Sequence, residues 1–141
     1  MRAILALTFA ILATPALADS FLKADPRSLT LSGDAANVSI TLTNTSKWNR
    51  AVILVTATLI DTKGHDLQLT KVSGLPSGRP EYNCMVNGSV IAAGAGQVVF
   101  LSFKVPPGEN LRGETFALSM EFEGDEGICT SSWVSLDGLR P

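Results

Sequence analysis

Apolar and hydroxyl-bearing residues alternate along much of the chain, and the period is two. In Ser28-Leu29-Thr30-Leu31 and again in Val38-Ser39-Ile40-Thr41-Leu42-Thr43 every second side chain is aliphatic, which is the pattern of a half-buried strand. Gly33-Asp34 supplies the turn between the two runs. Leu29, Leu31, Val38, Ile40 and Leu42 are expected to face a core, and the Ser and Thr side chains water. Residues 21–27 read as irregular, because Pro26 donates no hydrogen bond and restricts Asp25 before it.

Residues 44–49, Asn-Thr-Ser-Lys-Trp-Asn, form a polar loop with one aromatic, Trp48. The densest apolar run follows at 51–60. It is β-branched on nearly both faces in its first half, which suits a central strand covered on two sides. Asp61-Thr62-Lys63-Gly64 turns it back into an alternating return strand over 65–72. Residues 73–80, Ser-Gly-Leu-Pro-Ser-Gly-Arg-Pro, hold too many breakers for a regular element and are expected to be a surface loop. Asn87-Gly88 marks a two-residue hairpin between residues 82–86 and 89–92.

A second strongly apolar strand is predicted over 97–105, and Pro106-Pro107-Gly108 ends it. Residues 115–123 alternate cleanly, placing Phe116, Leu118, Met120 and Phe122 inside and Glu121 and Glu123 in solvent. A turn at 124–127 leads to the last strand, 128–136, and residues 137–141 read as a frayed tail. No segment carries helical spacing with caps. The expectation is an all-β chain, an antiparallel two-sheet β-sandwich of roughly seven to nine strands, with an up-and-down barrel as the rival.

The start of the chain adds a compartment. Met1-Arg2, an apolar run over 3–13 and Thr-Pro-Ala-Leu-Ala at 14–18 match a secretory signal peptide with its small-residue cleavage site. The expected organisation is a signal peptide at 1–18 and a single β-sandwich domain at 19–141, periplasmic or secreted. The apolar run is shorter than the roughly 20 residues that span a bilayer, so stable membrane insertion is not expected. The chain has 11 basic and 13 acidic residues, and its basic residues are scattered. A phosphate-binding surface needs them clustered, so nucleic acid is not an expected partner.

An exported chain with two cysteines, Cys84 and Cys129, is expected to form one disulfide. It would close a loop of about 45 residues and contribute about 4 kcal/mol in the chain-entropy model. The alternation at 28–31, Val-Ser-Ile-Thr-Leu-Thr-Asn at 38–44 and the strand ending in Val-Pro-Pro at 105–107 resemble immunoglobulin-like domains of bacterial envelope proteins, of the pilus-chaperone amino-terminal type. The resemblance implies a sandwich fold and an envelope setting. It assigns no functional residue.

Catalytic and metal-binding constellations are missing from the pattern. His65 is the one histidine, beside a turn, and no Gly-x-Ser-x-Gly elbow occurs. His65, Met85 and Met120 are too dispersed to suggest a copper or zinc site, and Met120 reads as core. Glu121, Glu123, Asp125 and Glu126 offer calcium-type oxygen ligands but fit no calcium loop and read as a solvated acidic turn. Sequons at Asn37, Asn44 and Asn87 read as incidental. No cofactor is expected.

What remains are loop aromatics and their charged neighbours: Trp48, and Tyr82 with Arg79 and Glu81. Trp and Arg anchor many interfaces, and loops on rigid scaffolds carry recognition. The sequence therefore points to a non-catalytic binding or assembly module recognising a protein partner in the cell envelope through loops or an edge strand. An inhibitor of an extracytoplasmic protease or lysozyme, presenting residues 73–80, is the alternative. A small metal carrier or hydrolase ranks last.

Overall fold

A computed structural model describes residues 21–78, 88–125 and 129–141. Among these residues there are eight strands and no helix: β1 (Leu22–Ser32), β2 (Ala35–Asn44), β3 (Arg50–Asp61), β4 (Asp66–Ser73), β5 (Ser89–Ile91), β6 (Gly96–Lys104), β7 (Phe116–Asp125) and β8 (Cys129–Leu139). Each ladder is antiparallel, and the strands run in the order β1-β2-β6-β4-β3-β7-β8, with β5 also on β3.

The expected division into two separate sheets is not what the pairing shows. The reason is β4, which serves two neighbours. Its first residues, Asp66 to Gln68, pair with β3, and from Gln68 to Ser73 it pairs with β6. The register shift between Leu69 and Lys71 bends the strand as it changes partner. At the other end of the path β1 and β8 approach each other, so the sheet nearly closes.

The alternation seen in the sequence sets the core. Val38, Ile40 and Leu42 of β2 and Phe116, Leu118, Met120 and Phe122 of β7 are buried, as are Leu101 and Phe103 of β6. Removing a side chain of this size from water is worth roughly 1.5–3 kcal/mol. Ala51 to Leu54 of β3 are all buried, on both faces, as expected of a strand in the middle of the path.

Three boundaries differ from the sequence reading. β1 starts at Leu22, inside the stretch expected to be irregular, because Leu22 and Ala24 alternate inward against Lys23 and Asp25. Pro26 is accommodated by a register shift in a strand at the end of the pairing path. The expected tail belongs to β8, with Leu139 buried opposite Phe116. Finally, residues 74–78 do not protrude. After Gln68 leaves β3, that strand's edge is taken by this segment. Leu54 N donates to Pro76 O at 2.9 Å, Gly78 N donates to Leu54 O at 2.8 Å, and Leu75 is buried. The hairpin expected around Asn87-Gly88 lies mostly outside the described residues.

Candidate functional site

Asn44 closes β2, and its side chain is fully buried. A buried amide must find partners for two acceptor lone pairs and two N–H groups. Oδ1 accepts from Ser46 N at 3.0 Å and lies 2.7 Å from Ser46 Oγ; Nδ2 donates to Trp48 O and to Ile91 O, each at 2.8 Å. Ser46 Oγ in turn accepts from Trp48 N and from Arg50 Nε, each at 3.3 Å.

The backbone completes the clamp. Asn44 N donates to Ala95 O at 3.0 Å, Gly94 N to Asn44 O at 2.8 Å, and Thr45 N to Phe21 O at 2.9 Å. Ala93 N donates to Asn49 Oδ1 at 3.0 Å. The β2–β3 loop is thus tied to the residue preceding β1 and to the turn after β5. Within this frame Trp48 keeps 62% of its surface exposed. The expected polar loop is therefore a rigid mount for one indole.

The neighbourhood is apolar and cationic. The Arg50 guanidinium stands 4.4 Å from the centroid of the Phe21 ring, a cation–π distance. Phe21 itself is buried against Gly124, where an added Cβ would collide with the ring. Val90 of β5, opposite Ala51, is largely exposed. Of the sequence candidates, Trp48 is thus placed, whereas Arg79, Glu81, Tyr82 and Cys84 lie outside the described residues. Cys129 opens β8, and no described cysteine is a free thiol.

At the far end of β3 a second buried polar residue organises the turn. Asp61 Oδ1 accepts from Lys63 N and from His65 N, each at 2.9 Å, and Oδ2 pairs with His65 Nδ1 at 2.8 Å. Burial pushes the Asp61 carboxyl up, but the hydrogen bonds from His65 and Lys63 and the imidazolium charge together hold it below the ordinary value. The hydrogen bond to Asp61 raises His65 against partial burial. Gly64 completes the turn with φ of 89°.

His65 was expected to be an exposed turn residue; its side chain is 36% exposed and pinned. Nδ1 is committed to Asp61, and among the described residues no serine or cysteine hydrogen-bonds the ring. The signal was legible in part, because an Asp at the start of a turn commonly accepts from the N–H two residues on. Nearby, Thr62 Oγ1 donates to Glu114, and Lys63 Nζ lies 3.8 Å from Glu109.

Two outer sheet faces carry the other exposed large aromatics among the described residues. On β7 and β8, Trp133 is exposed opposite Glu121, and Glu123 lies opposite Ser131. Among the described residues no group of three acidic, His or Cys side chains gathers into a metal site. Met120 lies in the core and His65 at the β3–β4 turn, so the structure does not bring them together. On β6, Phe100 is exposed. Its orientation is not legible in the sequence, because Val98-Val99-Phe100-Leu101 is apolar throughout and its pattern does not reveal which residues face out.

No protein-family model matches the chain, and no curated protein matches it. Several solved structures are distantly similar, two of them as follows. A family 123 glycoside hydrolase from Clostridium perfringens shares 13% identity at a TM-score of 0.39, over 86% of this chain and 28% of that one. The yeast GGA1 GAE domain shares 14% identity at a TM-score of 0.43, over 84% of this chain and 90% of that one. The chain thus spans less than a third of the hydrolase, and likenesses at these scores carry no conclusion about its function.

Proposed function

We propose that this chain is an exported, non-catalytic binding or assembly module that recognises a protein partner of the cell envelope through the β2–β3 loop. The observation that carries the reading is Trp48, 62% exposed on a loop whose polar groups are bound internally. Exposing an indole brings the fold no benefit, whereas Trp is enriched at interface hot spots. A loop already ordered avoids about 0.5–1.5 kcal/mol per side chain that binding would otherwise spend on immobilisation.

Other features belong to the same reading. Residues 1–18 act as a signal peptide, leaving one domain at 19–141. The compartment is periplasmic or extracellular, where a Cys84–Cys129 disulfide persists. That bond would tie the start of β8 to the segment preceding β5, and Arg79, Glu81 and Tyr82 are further candidate partner-binding residues of this reading. An immunoglobulin-like sandwich would set β1-β2-β6-β4 against β3-β7-β8, joined through β4.

The test is site-specific photocrosslinking in the native envelope fraction, with an aromatic photoreactive side chain standing in for the indole at position 48 and, as control, the same residue at position 58 on β3. A discrete adduct at 48 alone, lost on adding excess unlabelled protein and not lost on adding the Trp48→Ala variant, is the expected result. Equal labelling from both positions, or none from 48, would overturn the proposal.

A further inference from the structure

We propose that the outer face of β1-β2-β6-β4 carries a saccharide site, built on Phe100 and suited to a pyranose ring bearing a carboxylate. The ladder registers place Thr30, Asn37, Ser102 and Lys71 in one row across the four strands, and Ser28, Ser39, Phe100 and Ser73 in the next. Together they line a depression of about 350 Å³, at the small end of the ~300–1,000 Å³ typical of ligand sites.

The chemistry of the lining is specific. Phe100 keeps 53% of its surface exposed in the middle of a field of hydroxyls. A solvated sheet face is complete without an aromatic at that position. A hydroxyl-rich ligand with one apolar face fits it, because the C–H groups of a pyranose meet the negative face of an aromatic ring. A purely apolar ligand does not fit, since burying the surrounding hydroxyls without partners costs free energy.

The polar groups are already arranged. Ser102 Oγ donates to Asn37 Oδ1 at 2.7 Å, which orients the amide and leaves Nδ2 to donate to a ligand. Ser28 Oγ and Ser39 Oγ lie 3.1 Å apart and hold one another. Lys71 is the charged residue of the lining, which holds no Asp or Glu. An ammonium with three donors and no carboxylate neighbour in the site is complementary to a carboxylate on the ligand. One lysine on an exposed face suits a uronate better than a phosphate, which is usually met by several cations or by clustered backbone N–H groups.

Amide-resolved NMR titration of the full mature chain tests this, with a mannuronate hexamer and neutral mannohexaose as the probes. Expected are shifts confined to Asn37, Ser39, Phe100, Ser102 and Lys71, with the uronate binding several-fold tighter. Phe100→Ser should weaken both sugars by about tenfold, and Lys71→Gln should bring the two to equal affinity. Both residues are exposed, so an unchanged urea midpoint will show that the variants are folded. No localised shift at millimolar sugar, or unchanged binding by a folded Phe100→Ser variant, would overturn the site. Equal affinity of the unmodified chain for the two sugars would overturn the assignment of a carboxylate ligand.

Discussion

The two ends of β3 are each built on one buried polar side chain, and the two solve the same problem with different chemistry. At the start, Asn44 uses a neutral amide that both accepts and donates, and its clamp holds a Trp out in solvent. At the end, Asp61 uses a carboxylate that only accepts, so each of its partners must be a donor, and one of them is His65. An amide holds at any ordinary pH, whereas a carboxylate–imidazole pair depends on two protons. The end that presents an aromatic is therefore the end insulated from pH.

Breaking the amide clamp should have the largest effect. Asn44→Ala leaves the Ile91 carbonyl without its side-chain donor and the Trp48 carbonyl with Ser46 Oγ alone, and a loss of about 2–3 kcal/mol is expected, read as a lower urea midpoint. Asn44→Asp sharpens the contrast. A carboxylate facing two carbonyl oxygens has a raised pKa, so this variant should lose stability as pH rises through that value, a dependence the unmodified end lacks.

Gly124→Ala comes next, at about 1–3 kcal/mol, because the new Cβ meets the Phe21 ring that supports Arg50. The expected readouts are a lower midpoint and weakened protection of the Thr45 amide, which is bonded to Phe21 O. Retention of both would show that the ring can shift at no cost.

The titratable end should respond more gently. Asp61 is held below its ordinary value, so its contribution is present above about pH 4 and lost as pH falls through the folded value. His65 is raised, so its contribution is present below about pH 6.5 and lost as pH rises through the folded value. The hairpin is therefore most stable between those limits. Urea midpoints at pH 5.5 and 8 should differ more in the unmodified chain than in His65→Gln; equal differences would remove His65 from the account. Trp48→Ala is the smallest case, within about 0.5 kcal/mol in stability, while the variant no longer competes for the crosslinked adduct.

Much of the architecture was legible from alternation alone. The facing of β2 and β7, the core role of Met120 and the turns at Gly33 and Gly64 follow from period two and from where glycine relieves strain. β1 was partly hidden because Pro26 reads as a break until a register shift absorbs it. The segment 74–78 was hidden more deeply. Its glycines and prolines describe a loop, and only the vacancy beside Leu54 on β3 makes it a strap. At the candidate site Trp48 stood out as a lone aromatic among polar residues, but nothing local distinguished Asn44 from an incidental sequon.

By itself the sequence determined the class of this protein: strands and their inward faces, both properties of residues close along the chain. The tertiary structure decided that one sheet runs almost to closure, that Asn44 is a buried clamp, and that Phe100 faces out among hydroxyls. Those outcomes depend on pairings between residues far apart in sequence, Asn44 with Ile91 and Ser39 with Phe100. A periodic pattern states which residues can share a face; register and the need to satisfy buried polar groups select which ones do.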